Sequence, residues 1–191
     1  MDLSFIDAYG SALSAALYVW NGGMESGNAV ARVLSGKVNP SGRLPDTIAK
    51  RYNDYPSAKN FGGKKYNNYQ EDIYVGYRFF ETFDKTAVRY PFGFGLSYTT
   101  FEEKGALKKD EQGYFVDVSV KNTGDVPGKN VVAVYVSAPQ GELGKPDKIL
   151  VGFHKTKELK SGETEEFIIR IPLENITSFD ETGCTGYKSS Y

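Results

Sequence analysis

The sequence predicts an α/β segment followed by an all-β sandwich, and three observations carry that expectation. Residues 15–36 run in the order apolar stretch, glycine-rich turn, helical pattern. Residues 113–171 hold a succession of short alternating segments separated by turn signals. Between them, residues 70–101 form an aromatic stretch broken by glycine and proline, where one pattern gives way to the other.

The elements follow in order. Ala15-Ala16-Leu17-Tyr18-Val19-Trp20 is apolar and rich in residues that suit a pleated surface, so it reads as a strand. Asn21-Gly22-Gly23 turns the chain. Residues 26–36 (SGNAVARVLSG) begin with small residues, place apolar positions at helical spacing and end on glycine, which predicts a helix stopped at Gly36. Strand, turn and helix in that order suggest the last unit of a parallel α/β sheet. The turn lacks the Gly-x-Gly-x-x-Gly and Gly-Lys-Ser patterns of a phosphate cradle. Residues 37–45 (KVNPSGRLP) are dense in turn formers, and Asp46-Thr47-Ile48 reads as a short edge strand.

Residues 52–68 form a long polar and aromatic loop, a length that in compact domains commonly serves function. With Tyr69 just beyond, it offers Tyr52, Tyr55, Asn60, Phe61 and Tyr66 as sugar-contacting groups. Residues 73–80 (IYVGYRFF) read as a buried strand. Residues 90–98 (YPFGFGLSY) are too interrupted for regular structure. They read first as a packed aromatic corner joining two domains, with a sugar-facing wall as the rival reading. Beyond Phe101, the runs 113–122, 130–137, 149–154 and 164–171 alternate without any helical pattern. They predict a sandwich of about seven strands over residues 99–180, one immunoglobulin-sized unit. The expected organisation is therefore 1–98 α/β, 99–180 all-β and 181–191 a tail or linker.

Composition narrows the function. Lys plus Arg number 23 and Asp plus Glu 24, leaving a net charge of -1 and no field to hold nucleic acid or an anionic membrane. The apolar run 15–20 is far short of the roughly 20 residues a spanning helix needs. The opening MDLSF has no signal-peptide pattern, an expectation that leaves a cytoplasmic protein and a secreted longer one both open. A single cysteine, Cys184, excludes an internal disulfide, and a single histidine, His154, excludes multi-histidine metal sites. His154 lies in a strand-like run and reads as structural rather than as the base of a catalytic triad. No metal or cofactor is expected. Asn175-Ile176-Thr177 fits a glycosylation acceptor, relevant only in a eukaryotic secretory pathway; an unglycosylated bacterial-type protein is the expectation.

Five separated runs then resemble one family in order. They are residues 27–31 (GNAVA), 36–45 (GKVNPSGRLP), 73–80 (IYVGYRFF), 90–101 (YPFGFGLSYTTF), and the pair 120–124 (VKNTG) and 161–164 (SGET). Together they resemble the C-terminal portion of glycoside hydrolase family 3, the β-glucosidase and β-xylosidase family. The resemblance spans residues 12–180 and implies the end of an α/β-sandwich domain, a fibronectin type III-like domain, and an accompanying (β/α)8 barrel in cis or in trans. It implies a parent that hydrolyses β-glucosides or oligosaccharides with retention, which needs two carboxylates about 5 Å apart. The family's nucleophilic Asp lies on the barrel and its acid/base Glu upstream of these residues, so no catalytic residue is assigned to this chain. Glu25 stands where the family has a structural turn. Glu71, in Tyr69-Gln70-Glu71-Asp72, matches a frequent family carboxylate; its structural reading is a salt bridge or backbone hydrogen bond fixing the loop. Tyr66, Tyr69 and Glu71 are the substrate-binding candidates. The tail resembles a linker of members in which the barrel follows the sandwich. An incomplete α/β sheet exposes a strand edge, which leads us to expect homodimerisation. Two other readings stand beside the fragment: a standalone carbohydrate-binding module, and a partner subunit completing a separately encoded barrel.

Overall fold

A computed structural model describes residues 3–179 and 187–188. Its α/β part holds α1 (Phe5–Tyr9), α2 (Ser26–Leu34), β1 (Ile48–Ala49), α3 (Tyr77–Phe83) and β2 (Val88–Tyr90). The sandwich holds β3 (Phe101–Asp110), β4 (Gly113–Asn122), β5 (Val131–Val136), β6 (Ile149–Lys155) and β7 (Thr164–Ile171).

The helix expected over residues 26–36 is α2, and Gly36 follows it at φ +73°, a conformation that side chains rarely adopt. The strand expected at 15–20 does not form. Residues 13–23 carry no regular hydrogen-bonded structure, and Leu17, Tyr18, Val19 and Trp20 stand 44–64% exposed. A strand exists only through its neighbours, and no described residue pairs with this one. Neither α1 nor α2 has a buried residue. Of the edge strand expected at 46–48 only Ile48 is in a strand, β1 (Ile48–Ala49), which runs antiparallel to β2.

The buried strand expected at 73–80 is instead a turn and a helix. A turn at Asp72–Ile73 is followed by Gly76 at φ +58°, and α3 begins at Tyr77. Tertiary packing overrides β propensity here: Phe80 is 1% exposed, with Tyr55 edge-on at 5.9 Å, while Phe79 meets Phe83 one turn later at 5.3 Å. Ala49, Phe80 and Ala87 make a small core, with Tyr55, Phe79 and Val88 against it.

The sandwich sets a three-stranded sheet, β3-β4-β7, against a two-stranded one, β5-β6. These are five strands of six or more residues among the described residues, fewer than the seven expected. The charged segment β3, exposed along nine of its ten residues, was not read as a strand from sequence. Alternation decides the core face: Val118 and Val120 from β4, Ile169 from β7 and Val132 from β5 enclose Leu159. Asn122, wholly buried, fastens the end of this core. Its amide donates to the carbonyls of Val126 (2.9 Å) and Leu159 (2.8 Å), and its oxygen accepts from the Thr99 hydroxyl at 2.7 Å. Of the tail, Tyr187–Lys188 pair with Ser178–Phe179; the rest of 181–191, Cys184 included, lies outside the described residues.

Polar contacts join the two parts. Asn39 donates to the Pro127 carbonyl (3.0 Å) and accepts from the Ser97 hydroxyl and the Tyr98 amide, both at 2.9 Å. Arg43 donates to the Gly95 carbonyl and to Asn130 Oδ1 (2.8 Å). Tyr77 packs against Tyr135 and Phe92, which makes the aromatic stretch a corner between the two parts. Leu159 is fully buried, so Leu159→Ala leaves a cavity in the sandwich and is expected to cost about 2–5 kcal/mol in urea unfolding. The exposed change Leu107→Ala on β3 should stay within about 0.5 kcal/mol.

Candidate functional site

The long loop folds as two short helical turns and a projecting lobe. Arg51 and Asp54 close the first turn, Tyr52–Asp54, through a backbone amide bond (3.1 Å) and a guanidinium–carboxylate pair (3.0 Å). Pro56 opens the second, Pro56–Lys59. Tyr55 faces inward: its hydroxyl accepts from the Ala49 amide at 3.0 Å. Asn60 then donates to the Asn68 carbonyl and draws the base of the lobe together. Residues 61–70 are all exposed.

The three candidates do not converge equally. Tyr66, 82% exposed, projects from the lobe, and its side chain meets no other described residue in a hydrogen bond or ring contact. Tyr69, 70% exposed, donates from its hydroxyl to the Asp72 carbonyl at 2.9 Å. That bond holds the turn in which Tyr74 N donates to Glu71 O at 2.8 Å and Asp72 adopts φ +49°, an uncommon angle for a residue with a side chain. Tyr69 and Glu71 therefore share one small turn, and Tyr66 stands off it. Glu71 is half-buried, and among the described residues none pairs with its carboxylate. Of the salt bridge or backbone hydrogen bond expected to fix the loop at Glu71, no salt bridge is found among the described residues, while its backbone carbonyl does accept a bond that braces the turn.

Sequence reasoning missed a charged hollow of about 610 Å³ at the loop's first turn, lined by Asp7, Lys50, Arg51, Asp54, Asp84, Thr86 and Arg89 among others. Its carboxylates are all engaged. Asp7 forms a two-pronged pair with Arg89, which holds its carboxyl below the usual range. Asp54 pairs with Arg51. Asp84 accepts from the Thr86 hydroxyl and from the Thr86 and Ala87 amides, and these bonds, the hydroxyl first, lower its pKa. Asp7 thereby ties two distant segments together, while Asp54 and Asp84 close local turns. The Asp84-Lys85-Thr86 capping turn was the one readable signal. His154 lies in the sandwich seam, 3.4 Å from Glu165 and stacked on Phe167, away from the loop's residues.

Comparison with known proteins places this arrangement. Residues 5–98 match the glycosyl hydrolase family 3 C-terminal domain, and residues 130–185 match the fibronectin type III-like domain. The chain belongs to glycosyl hydrolase family 3. It is 48% identical over 186 residues to a β-glucosidase of Ruminococcus albus, covering 97% of this chain and 19% of that protein. It is likewise 48% identical over 190 residues to β-glucosidase A of Butyrivibrio fibrisolvens, covering 90% of this chain and 23% of the relative. Among solved structures, a β-glucosidase from Paenibacillus barengoltzii superposes with TM-score 0.90 at 47% identity, over 95% of this chain and 20% of its own. β-Glucosidase 3B from Thermotoga neapolitana, in complex with glucose, superposes at 0.79 with 45% identity over 85% and 23%. The family and the two-part fold read from the sequence are thus borne out. The chain spans about a fifth of the length of these relatives.

The Asp84 cap gives a pH dependence whose sign is fixed. A carboxylate with a lowered folded pKa stabilises the fold above its unfolded value, 3.8 for Asp, and that contribution is lost as pH falls through the lower folded value. Urea midpoints should therefore hold steady above about pH 5 and drop below about pH 4. Asp84→Asn should lower the midpoint at pH 7 while shrinking the difference between pH 7 and pH 3.

Proposed function

We propose that the chain is the C-terminal α/β portion and fibronectin type III-like brace of a retaining β-glucosidase-like enzyme, without the nucleophile or the acid/base of its own. One observation carries this reading: the layer of residues 3–36 contains no buried side chain. The run 15–20 alternates Ala15, Leu17 and Val19 with Ala16, Tyr18 and Trp20, apolar on both faces. A strand apolar on both faces belongs inside a parallel sheet with helices above and below. Such a surface is built to be covered by more polypeptide, and its β-glucosidase relatives are about five times as long.

In that role the (β/α)8 barrel, in cis or in trans, supplies the nucleophile, and the two catalytic carboxylates stand about 5–5.5 Å apart, as retention requires. This chain's loop edges the pocket that takes the β-glucoside or oligosaccharide. Tyr66 and Tyr69 offer rings to the apolar face of a sugar. Glu71, half-buried and without a partner among the described residues, offers its carboxylate to a sugar hydroxyl. The domain limits that fit this division are 1–98, 99–180 and a linker over 181–191. Where no barrel covers the apolar run, a second copy pairing along 15–20 gives a homodimer.

A second reading is favoured by the exposure of Phe61 (77%), Tyr66 (82%) and Tyr69 (70%) on one lobe: a carbohydrate-binding module in its own right. The purified chain separates the two. Incubated with aryl β-glucoside and aryl β-xyloside, it is expected to release no nitrophenol above buffer, and to do so only when a barrel polypeptide of a family relative is added. Turnover by the chain alone that vanishes in Glu71→Gln would overturn the assignment. Retention of the chain on glucan, lost in Tyr66→Ala, would favour the binding module.

A further inference from the structure

The sandwich sends one loop, residues 138–148, across onto the α/β part, where it lands on α3 and on Tyr74, the residue whose backbone closes the Glu71 turn. Three contacts fix it there. The Thr82 hydroxyl in α3 donates to the Arg78 carbonyl (2.6 Å) and accepts from the Asp147 amide (3.0 Å). Just beyond the loop, the Tyr77 hydroxyl accepts from the Leu150 amide at 2.8 Å. Lys148 pairs with Glu81 at 2.9 Å. Helix α3 thus meets the far end of one sandwich loop with polar groups from both of its turns, Tyr77 on the first and Glu81 and Thr82 on the second.

That loop touches Tyr74. A Cβ placed on Gly144 would stand 3.0 Å from the Tyr74 hydroxyl, tighter than most real contacts. On its other side the Tyr74 ring meets Phe83 edge-on at 4.8 Å. Tyr74 also closes the Glu71 turn through its backbone amide. A residue wedged between helix and loop, and bonded at its backbone to Glu71, transmits the place of the sandwich to that turn.

We infer that loop 138–148 is a positioning element: through Thr82 and Gly144 it holds Tyr74, and through Tyr74 it sets where the Tyr69–Asp72 turn stands. The inference deepens the proposed function, since the consequence for sugar binding rests on residues 66–71 being a pocket rim. The positioning itself does not, because it can be read with no sugar present.

Hydrogen exchange of the full chain tests it. In Thr82→Val the peptide covering residues 66–76 should exchange about threefold faster or more, with the β4 peptide unchanged. Thr82→Ser, which keeps the hydroxyl, should restore the native rate. Gly144→Ala should likewise speed exchange at 66–76, and adding Tyr74→Phe, which removes the oxygen the new methyl meets, should reverse it. Unchanged exchange at 66–76 in both single variants overturns the inference. So does acceleration spread equally over β4, or a Tyr74→Phe double variant no slower than Gly144→Ala alone. If Gly144→Ala does not fold, the Thr82 pair decides. None of these outcomes bears on whether the parent cleaves β-glucosides.

Discussion

Arg43 is the tie on which the arrangement of the two parts depends. Its guanidinium reaches the Gly95 carbonyl on one side and Asn130 Oδ1 on the other. Asn130 is itself held: its amide donates to the Thr156 hydroxyl at 2.9 Å and its side chain to Glu103. A planar fork with donors at fixed angles can serve a carbonyl and an amide oxygen together, which an ammonium on a flexible stem does less well. The α/β part needs such help. Among the described residues its buried apolar side chains are four, Ile48, Ala49, Phe80 and Ala87, too few to order a segment of this length by apolar burial alone. Much of its order is borrowed from the sandwich through Arg43, Asn39 and α3.

That dependence explains the chemistry of the turn-rich residues at 37–45. Asn39 and Arg43 lie four apart in a segment that sequence shows only as turns. Asn39 reaches one edge of the sandwich at Pro127 and Arg43 the next at Asn130, while Lys155 donates to the Ser41 carbonyl between them at 3.2 Å. Proline and glycine here shape a ribbon whose side chains and carbonyls are spent on the neighbouring domain. Lys155, on the surface at this seam, has its pKa lowered, by desolvation first and then by Lys129 and Arg43, a sign of how crowded with cations that seam is.

How much of this was legible follows from where the information lies. Strands β4, β5, β6 and β7 were readable because one face of each packs on a core, so burial imposes a period of two on the sequence. Strand β3 pairs with β4 along its whole length, yet FEEKGALKKD hides it: as an exposed edge it carries lysines and glutamates that protect it from other chains. Residues 73–80 misled for the opposite reason. Their aromatic and β-branched composition suits a strand, but Gly76 reverses the backbone and Phe80 is captured by a core built from residues 49, 55 and 87, which no local window contains. The run 15–20 has the composition of a strand and lacks the neighbours that would make it one. At the candidate site, the aromatic lobe was visible as composition. The bond from Tyr69 to Asp72, the Glu71 carboxylate left without a partner among the described residues, and the charged hollow at Arg51 were not, because each depends on a backbone angle or on a residue far along the chain.

The α/β segment combines polar ties to the sandwich with an uncovered apolar surface, a pairing consistent with the proposed brace. A module evolved to work alone would cover the side chains of residues 5–34 and leave its polar groups to water. Here Phe5, Tyr9, Trp20 and Leu34 stand half or more exposed, while Arg43, Thr82 and Asn39 are engaged with the sandwich. Fixing part of a layer while leaving an apolar surface uncovered makes it a rigid plate to which a further layer can add without paying again in lost chain freedom.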